Sequence, residues 1–148
     1  MKTATSVYIT REFHCSAEDL FRWLIEPDLI VQWFGPKHLS VAKAHVDLKA
    51  MGGYSFEMRK PDGHAFFIEG TYLQVDYSQQ LVFTLCYHGL GTSTPPDSVV
   101  SITLQAIEPQ LTRLSLTQKF EIIPPDIDSR TEAWKYMLIK LGQNVKNG

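Results

Sequence analysis

Little in this sequence points to a metal, a nucleotide or a nucleic acid. It has only two cysteines, Cys15 and Cys86, and they lack C-x-x-C spacing. A structural zinc site of that kind is therefore excluded, and two reduced, buried thiols are expected, with a disulfide between them as the alternative. The five histidines, His14, His38, His45, His64 and His88, are scattered, with no H-x-x-x-H pair and no patterned carboxylate beside them. No metal and no cofactor is expected. Gly89-x-Gly91 is followed by Pro95-Pro96 and opens no helix, which argues against a dinucleotide site. There is no P-loop and no G-x-S-x-G elbow. Basic runs are missing and the net charge is -2, so nucleic acid is not an expected partner. No apolar run approaches a membrane span, so integral membrane contact is not expected either. Met1 to Thr10 lacks the apolar core of a signal peptide, and the expected compartment is the cytoplasm.

What is present is a pattern of alternation closed by one helix. Ser129 to Val145 places Trp134, Met137, Leu138, Leu141 and Val145 on one stripe at helical spacing. Ser129 with Glu132 reads as a capping box, and Asp126 is the alternative cap. Lys135, Lys140 and Lys146 lie off the stripe, mostly late, where positive charge suits the helix dipole.

The chain begins with a strand over Val7 to Phe13, where Val7, Ile9 and, after a shift, Phe13 form the dry face. Ser16 then caps a short helix, with Asp19 as its capping-box acid and Leu20, Phe21 and Leu24 on its buried side. Pro27 stops that helix and opens another carrying Leu29, Ile30 and Trp33, which ends at Gly35-Pro36. Strands follow: Leu39 to Leu48, then Tyr54, Phe56 and Met58 in alternation, then Ala65 to Val75. Turns at Gly52-Gly53 and Pro61-Asp62-Gly63 separate them. Gly70 inside the third of these suggests a bulge or strong bend. Leu81, Phe83, Leu85 and Tyr87 line the next strand. A loop over Gly89 to Asp97 precedes strands bearing Val100, Ile102 and Leu104, and then Leu114, Leu116, Gln118 and Phe120. These two are joined at Glu108-Pro109-Gln110.

Consecutive strands joined by short turns pair antiparallel. The expected class is α+β, as one domain over the 148 residues. A sheet of about seven strands would wrap the long C-terminal helix, with two short helices after the first strand. One helix cannot cover so wide a sheet, so an apolar hollow should remain beside it, and such hollows are ordinary small-molecule sites.

Several stretches together resemble the START-like superfamily, also called the helix-grip or SRPBCC superfamily. They are Cys15-Ser16-Ala17-Glu18-Asp19-Leu20-Phe21 with Pro27-Asp28, then Trp33-Phe34-Gly35-Pro36-Lys37, Asp47-Leu48-Lys49, and Phe56 to Arg59 with Pro61-Asp62-Gly63. Gly70-Thr71-Tyr72, Leu81-Val82-Phe83-Thr84, Thr112-Arg113-Leu114 and the Trp134 helix continue the match. The W-[WF]-G-P-K segment resembles the branch named after the C-terminal domain of the activator of the heat-shock ninety ATPase. The resemblance implies a curved sheet gripping the C-terminal helix around a cavity. It also implies a diverse set of roles: lipid and hormone binders, polyketide cyclases and chaperone activators. One departure stands out. Relatives show Pro-Gly-Gly where this chain has Ala50-Met51-Gly52, so that turn is expected to differ, with Met51 projecting toward the cavity rim or a partner.

The candidate ligand-binding set is Trp33, Phe56, Met58, Phe67, Phe83, Leu85, Trp134, Met137 and Leu138, with His45, Tyr87 and Gln118 as the polar groups able to orient a ligand. Plain core is the competing reading for each apolar member. The expected function is binding of a small apolar or amphipathic molecule. The rivals are a chaperone-activator-like module, with a chaperone or other protein as partner, and a cyclase-like or hydrolase-like enzyme using Tyr87 or His45. The residues identify no catalytic group, and they leave the oligomeric state open.

Overall fold

A computed structural model describes residues 6–88 and 98–147. The elements run β1 (Ser6–Phe13), α1 (Ala17–Ile25), α2 (Pro27–Trp33), β2 (Ser40–Val46), β3 (Gly53–Arg59), β4 (Ala65–Asp76), β5 (Gln80–His88), β6 (Ser98–Glu108), β7 (Leu111–Phe120) and α3 (Ile127–Asn147). The strands form one curved antiparallel sheet in the order β1-β7-β6-β5-β4-β3-β2. The class is α+β, with α3 lying against β1 and α2. The loop expected over Gly89 to Asp97 lies outside the described residues.

Strict alternation selects the inner face. Tyr54, Phe56 and Met58 of β3, Leu81, Phe83 and Leu85 of β5, and Leu114, Leu116 and Gln118 of β7 are all buried, while their neighbours in sequence are more exposed. The β1–β7 register is regular from Ser6↔Lys119 to Phe13↔Thr112. The expected shift in β1 is therefore absent, and Phe13 shares the face of Val7 and Ile9 by simple alternation. Ser16 caps α1 as expected, its hydroxyl accepting from Asp19 N at 3.1 Å. Pro27 opens α2. Trp33 Nε1 donates to Trp23 O at 2.9 Å and joins the two short helices.

The long helix starts earlier than the Ser129 box predicts. Asp126 O accepts from Arg130 N at 3.2 Å, which makes Asp126 the residue before the first turn, and Ser129 is an exposed member of that turn. The extra turn brings Ile127 onto the stripe, so Ile127, Trp134, Met137, Leu138, Leu141 and Val145 are all buried.

Two departures from regular pairing shape the sheet. In β2 the register shifts between Val41 and Lys43, which sends Ala44 and Val46 inward and His45 outward. In β4 the ladder to β5 keeps one register from Glu69↔Cys86 to Tyr72↔Phe83 but leaves a gap at Gly70 and Thr71, and the register shifts between Tyr72 and Gln74. Across that gap the Tyr54 hydroxyl donates to Thr84 O at 2.6 Å and Thr71 N donates to Thr84 Oγ1 at 2.8 Å. Only glycine fits at position 70, because a Cβ there would overlap the Thr84 carbonyl and lie 2.7 Å from the Tyr54 ring.

Met51 takes a left-handed conformation with φ 69°, and its N–H donates to Tyr72 O at 2.7 Å. Its side chain is 73% exposed and lies outside the clefts described below.

Candidate functional site

The space between sheet and helix divides into two parts. The inner part is almost filled: a cavity of about 30 Å³ remains, lined by Trp33, Phe34, Phe56, Phe83, Leu85 and Trp134 among others. Aromatic edges close it. Phe34 meets Phe56 at 5.0 Å between centroids and Trp134 at 6.1 Å, and Tyr54 meets Phe83 at 5.6 Å, all near right angles or steeply tilted. The outer part is an open cleft of about 580 Å³ between the first half of α3, the β3–β4 turn and the ends of β5 and β7. Phe34, Leu39, Phe66, Ile68, Leu85, Ala133, Trp134 and Met137 give it apolar walls. Tyr87, Gln118, Lys60, Asp62, Asp126, Ser129 and Arg130 are its polar members.

The turn after α2 is tied to the long helix. Gly35, at φ 121°, donates its N–H to Met137 Sδ at 3.2 Å and accepts from Lys140 Nζ at 3.0 Å. A Cβ at Gly35 would come 2.8 Å from Leu39 O, so the turn between α2 and β2 needs glycine on both counts. Burial pulls the Lys140 ammonium below its ordinary pKa.

A buried polar chain crosses the floor of the cleft. Trp134 Nε1 donates to Gln118 Oε1 at 2.8 Å, Gln118 Nε2 donates to Ser98 Oγ at 2.8 Å, and Ser98 Oγ donates to Leu85 O at 3.1 Å. Gln118 is only 2% exposed, so these bonds replace the water it gave up on folding. Tyr87 lines the same cleft. Burial pushes its phenol above the ordinary value, with Arg130 opposing and Asp126 adding to the rise. At neutral pH the hydroxyl is therefore a proton-bearing donor and not a base.

The candidate residues separate by position. Leu85, Tyr87, Gln118, Trp134 and Met137 meet in the cleft, while Trp33, Phe56 and Phe83 line the small inner cavity. Met58 and Leu138 are buried and line neither space. Two expectations are overturned. Phe67 is 39% exposed and faces outward opposite Glu57 and His88, and Phe66 takes the inward place beside Ile68. His45 faces outward opposite Ser55, because the β2 bulge reverses the alternation before it. Phe34, Phe66 and Arg130 were missed as site residues. Alternation back from Ile68 would have found Phe66, and a step of one helical turn back from Trp134 would have found Arg130.

On the outer face, Cys86 Sγ lies 3.2 Å from His88 Nε2, which lies 3.6 Å from Glu69 Oε1. Among the described residues no group of three or more His, Cys, Asp and Glu side chains is arranged to hold a metal ion. No helix among the described residues is long and apolar enough to cross a membrane.

The same architecture occurs in solved structures. A protein from Chromobacterium violaceum matches with a TM-score of 0.84 at 21% identity, over 95% of this chain and 96% of that one. A protein from Nitrosomonas europaea matches with a TM-score of 0.83 at 23% identity, over 97% and 95% of the two chains. A Silicibacter pomeroyi protein matches with a TM-score of 0.81 at 24% identity, over 95% and 97%. No curated protein sequence matches the chain significantly. The likenesses in structure speak to the fold alone. The family model described as Activator of Hsp90 ATPase homolog 1-like protein matches residues 14–146, and the chain belongs to that family, a branch of the START-like proteins.

Proposed function

We propose that this chain, acting as a single domain, binds a small apolar or amphipathic molecule in the cleft at the first half of α3. The observation that carries the reading is the cleft itself, about 580 Å³ with mainly apolar walls. That volume lies within the range of ordinary ligand pockets, whereas the inner cavity of about 30 Å³ has room for little more than a water molecule. The apolar body of the ligand would lie on Phe66, Ile68, Ala133 and Met137, and Tyr87 and Gln118 would meet its polar atoms. The proposed setting is the cytoplasm.

The test uses native mass spectrometry of the purified chain, to look for a co-purifying small molecule, and titration with an apolar fluorescent dye. Ser129→Trp would obstruct the cleft from an exposed position without disturbing the core. Saturable dye binding by the wild type is expected, weakened more than tenfold in the variant with an unchanged thermal midpoint. If wild type retains no molecule and binds no dye, ligand binding is refuted. A protein-binding role, like that of the ATPase activator for which the family is described, would then be the reading to pursue.

A further inference from the structure

Resting on that reading, we infer that the ligand of the cleft carries a carboxylate, received by Arg130 and Tyr87. Arg130 leaves the first turn of α3 with its side chain only 14% exposed. Its guanidinium carbon lies 5.2 Å from the centroid of the Tyr87 ring and 5.4 Å from that of Phe120, so two aromatic rings hold it in place. Its Nε donates to Asp126 Oδ1 at 3.3 Å, and among the described residues neither Nη group makes a hydrogen bond. The planar fork that best matches a carboxylate is thus fixed at the cleft with its outer donors unused.

The unsatisfied groups around it are of one kind. The Tyr87 hydroxyl makes no hydrogen bond among the described residues and keeps its proton at neutral pH. Gln118 spends its oxygen on Trp134 and one N–H on Ser98, which leaves the other N–H. The protected wall therefore offers donors, and a ligand must bring acceptor oxygens to it. Among common head groups, a carboxylate supplies two oxygens in the plane and spacing of the guanidinium fork. An alcohol supplies one oxygen, and an ammonium would bring donors to donors.

Charge limits the ligand to a single negative charge. Lys60 and Arg130 line the cleft together with Asp62 and Asp126, so the lining carries two positive and two negative side chains. Asp126 already holds Arg130 on its Nε side. A strongly hydrated dianion would lose more water at the apolar wall than this balanced lining returns, whereas a monoanion can share Arg130 from its Nη side.

The experiment is isothermal calorimetry on the full chain with decanoate, 1-decanol and decylamine at neutral pH, below aggregation of each. Decanoate is expected to bind at least tenfold more tightly than 1-decanol, and decylamine most weakly. Arg130→Met keeps an alkyl stem against the two rings and should abolish the preference, weakening decanoate more than tenfold and leaving 1-decanol unchanged. Tyr87→Phe should weaken decanoate a few-fold with the thermal midpoint preserved. If 1-decanol binds wild type as tightly as decanoate, or Arg130→Met weakens both equally, the carboxylate inference fails while ligand binding stands. If none of the three binds wild type, the ligand-binding reading fails as well. The comparison on wild type needs no variant to fold.

Discussion

Replacing Trp134 by phenylalanine tests whether the Gln118 oxygen behind the indole is sealed from water. The indole N–H is the donor to Gln118 Oε1 at 2.8 Å, and Gln118 and Trp134 are 2% and 4% exposed. Two losses follow from the change. The smaller ring vacates roughly 40 Å³, and at about 24 cal/mol per Å³ this costs about 1 kcal/mol. The orphaned amide oxygen adds about 1–3 kcal/mol if nothing replaces its donor. The variant should therefore lose about 2–4 kcal/mol in urea unfolding followed by far-UV circular dichroism. Adding Gln118→Leu removes the orphan and leaves Ser98 still donating to Leu85 O. The double variant should then be less destabilised than the sum of the singles, with a coupling of about 1–2 kcal/mol. A loss of only about 1 kcal/mol in Trp134→Phe, with no coupling, would refute the reasoning. It would mean that water from the cleft reaches Gln118 Oε1.

Phe83→Ala should cost the full penalty of a packed ring, about 3–5 kcal/mol in the same assay, because the inner space is nearly filled, and dye binding at the outer cleft should survive in the folded variant. Burial raises the phenols of Tyr54, Tyr72 and Tyr87 and lifts the Cys15 thiol to about 11, with Asp19 adding to the last. The native state therefore holds protons that the unfolded chain has released. The resulting stability is complete below about pH 9–10 and is lost as pH rises through the ordinary phenol and thiol values toward the raised ones. Absorbance at 295 nm should show these three phenolates appearing only as the fold opens. Met51→Gly should stabilise the protein by about 0.5–1 kcal/mol, measured as a rise in thermal midpoint, because a left-handed residue at an exposed turn is strained by its Cβ.

Much of the architecture was legible because the two periodicities are clean. Period-two runs such as Tyr54-Phe56-Met58 and Leu81-Phe83-Leu85 fall on the inner face as expected, and the Trp134 stripe is the buried side of α3. Where sequence and structure part, a local event breaks the period. One extra residue in β2 turns His45 outward, and no composition signal marks it, since Val41-Ala42-Lys43 contains neither Gly nor Pro. Phe66 and Phe67 are chemically identical neighbours, and only the register with β3 and β5 decides which is inside. The Ser129 box lost to Asp126 because an earlier start buries Ile127 as well, and packing outweighs one cap. The cleft was the least legible part. Its walls come from a strand turn, two strand ends and a helix start, and its division from the inner cavity depends on how Phe34 meets Phe56 and Trp134.

The pairing of β1 with β7 bears on how this chain must be made. Ser6↔Lys119 and Phe13↔Thr112 join the strands that come first and last along the chain. A ribosome adding about 5–20 residues per second would expose β1 for roughly 5–20 seconds before its partner emerges. During that interval Val7, Ile9 and Phe13 have no sheet to enter, while the consecutive hairpins from β2 to β5 can already form. The nascent chain thus carries an unpaired apolar strand that a holding chaperone, or a neighbouring nascent copy, could capture. Synthesis rate, and not only final stability, should govern the yield of folded protein.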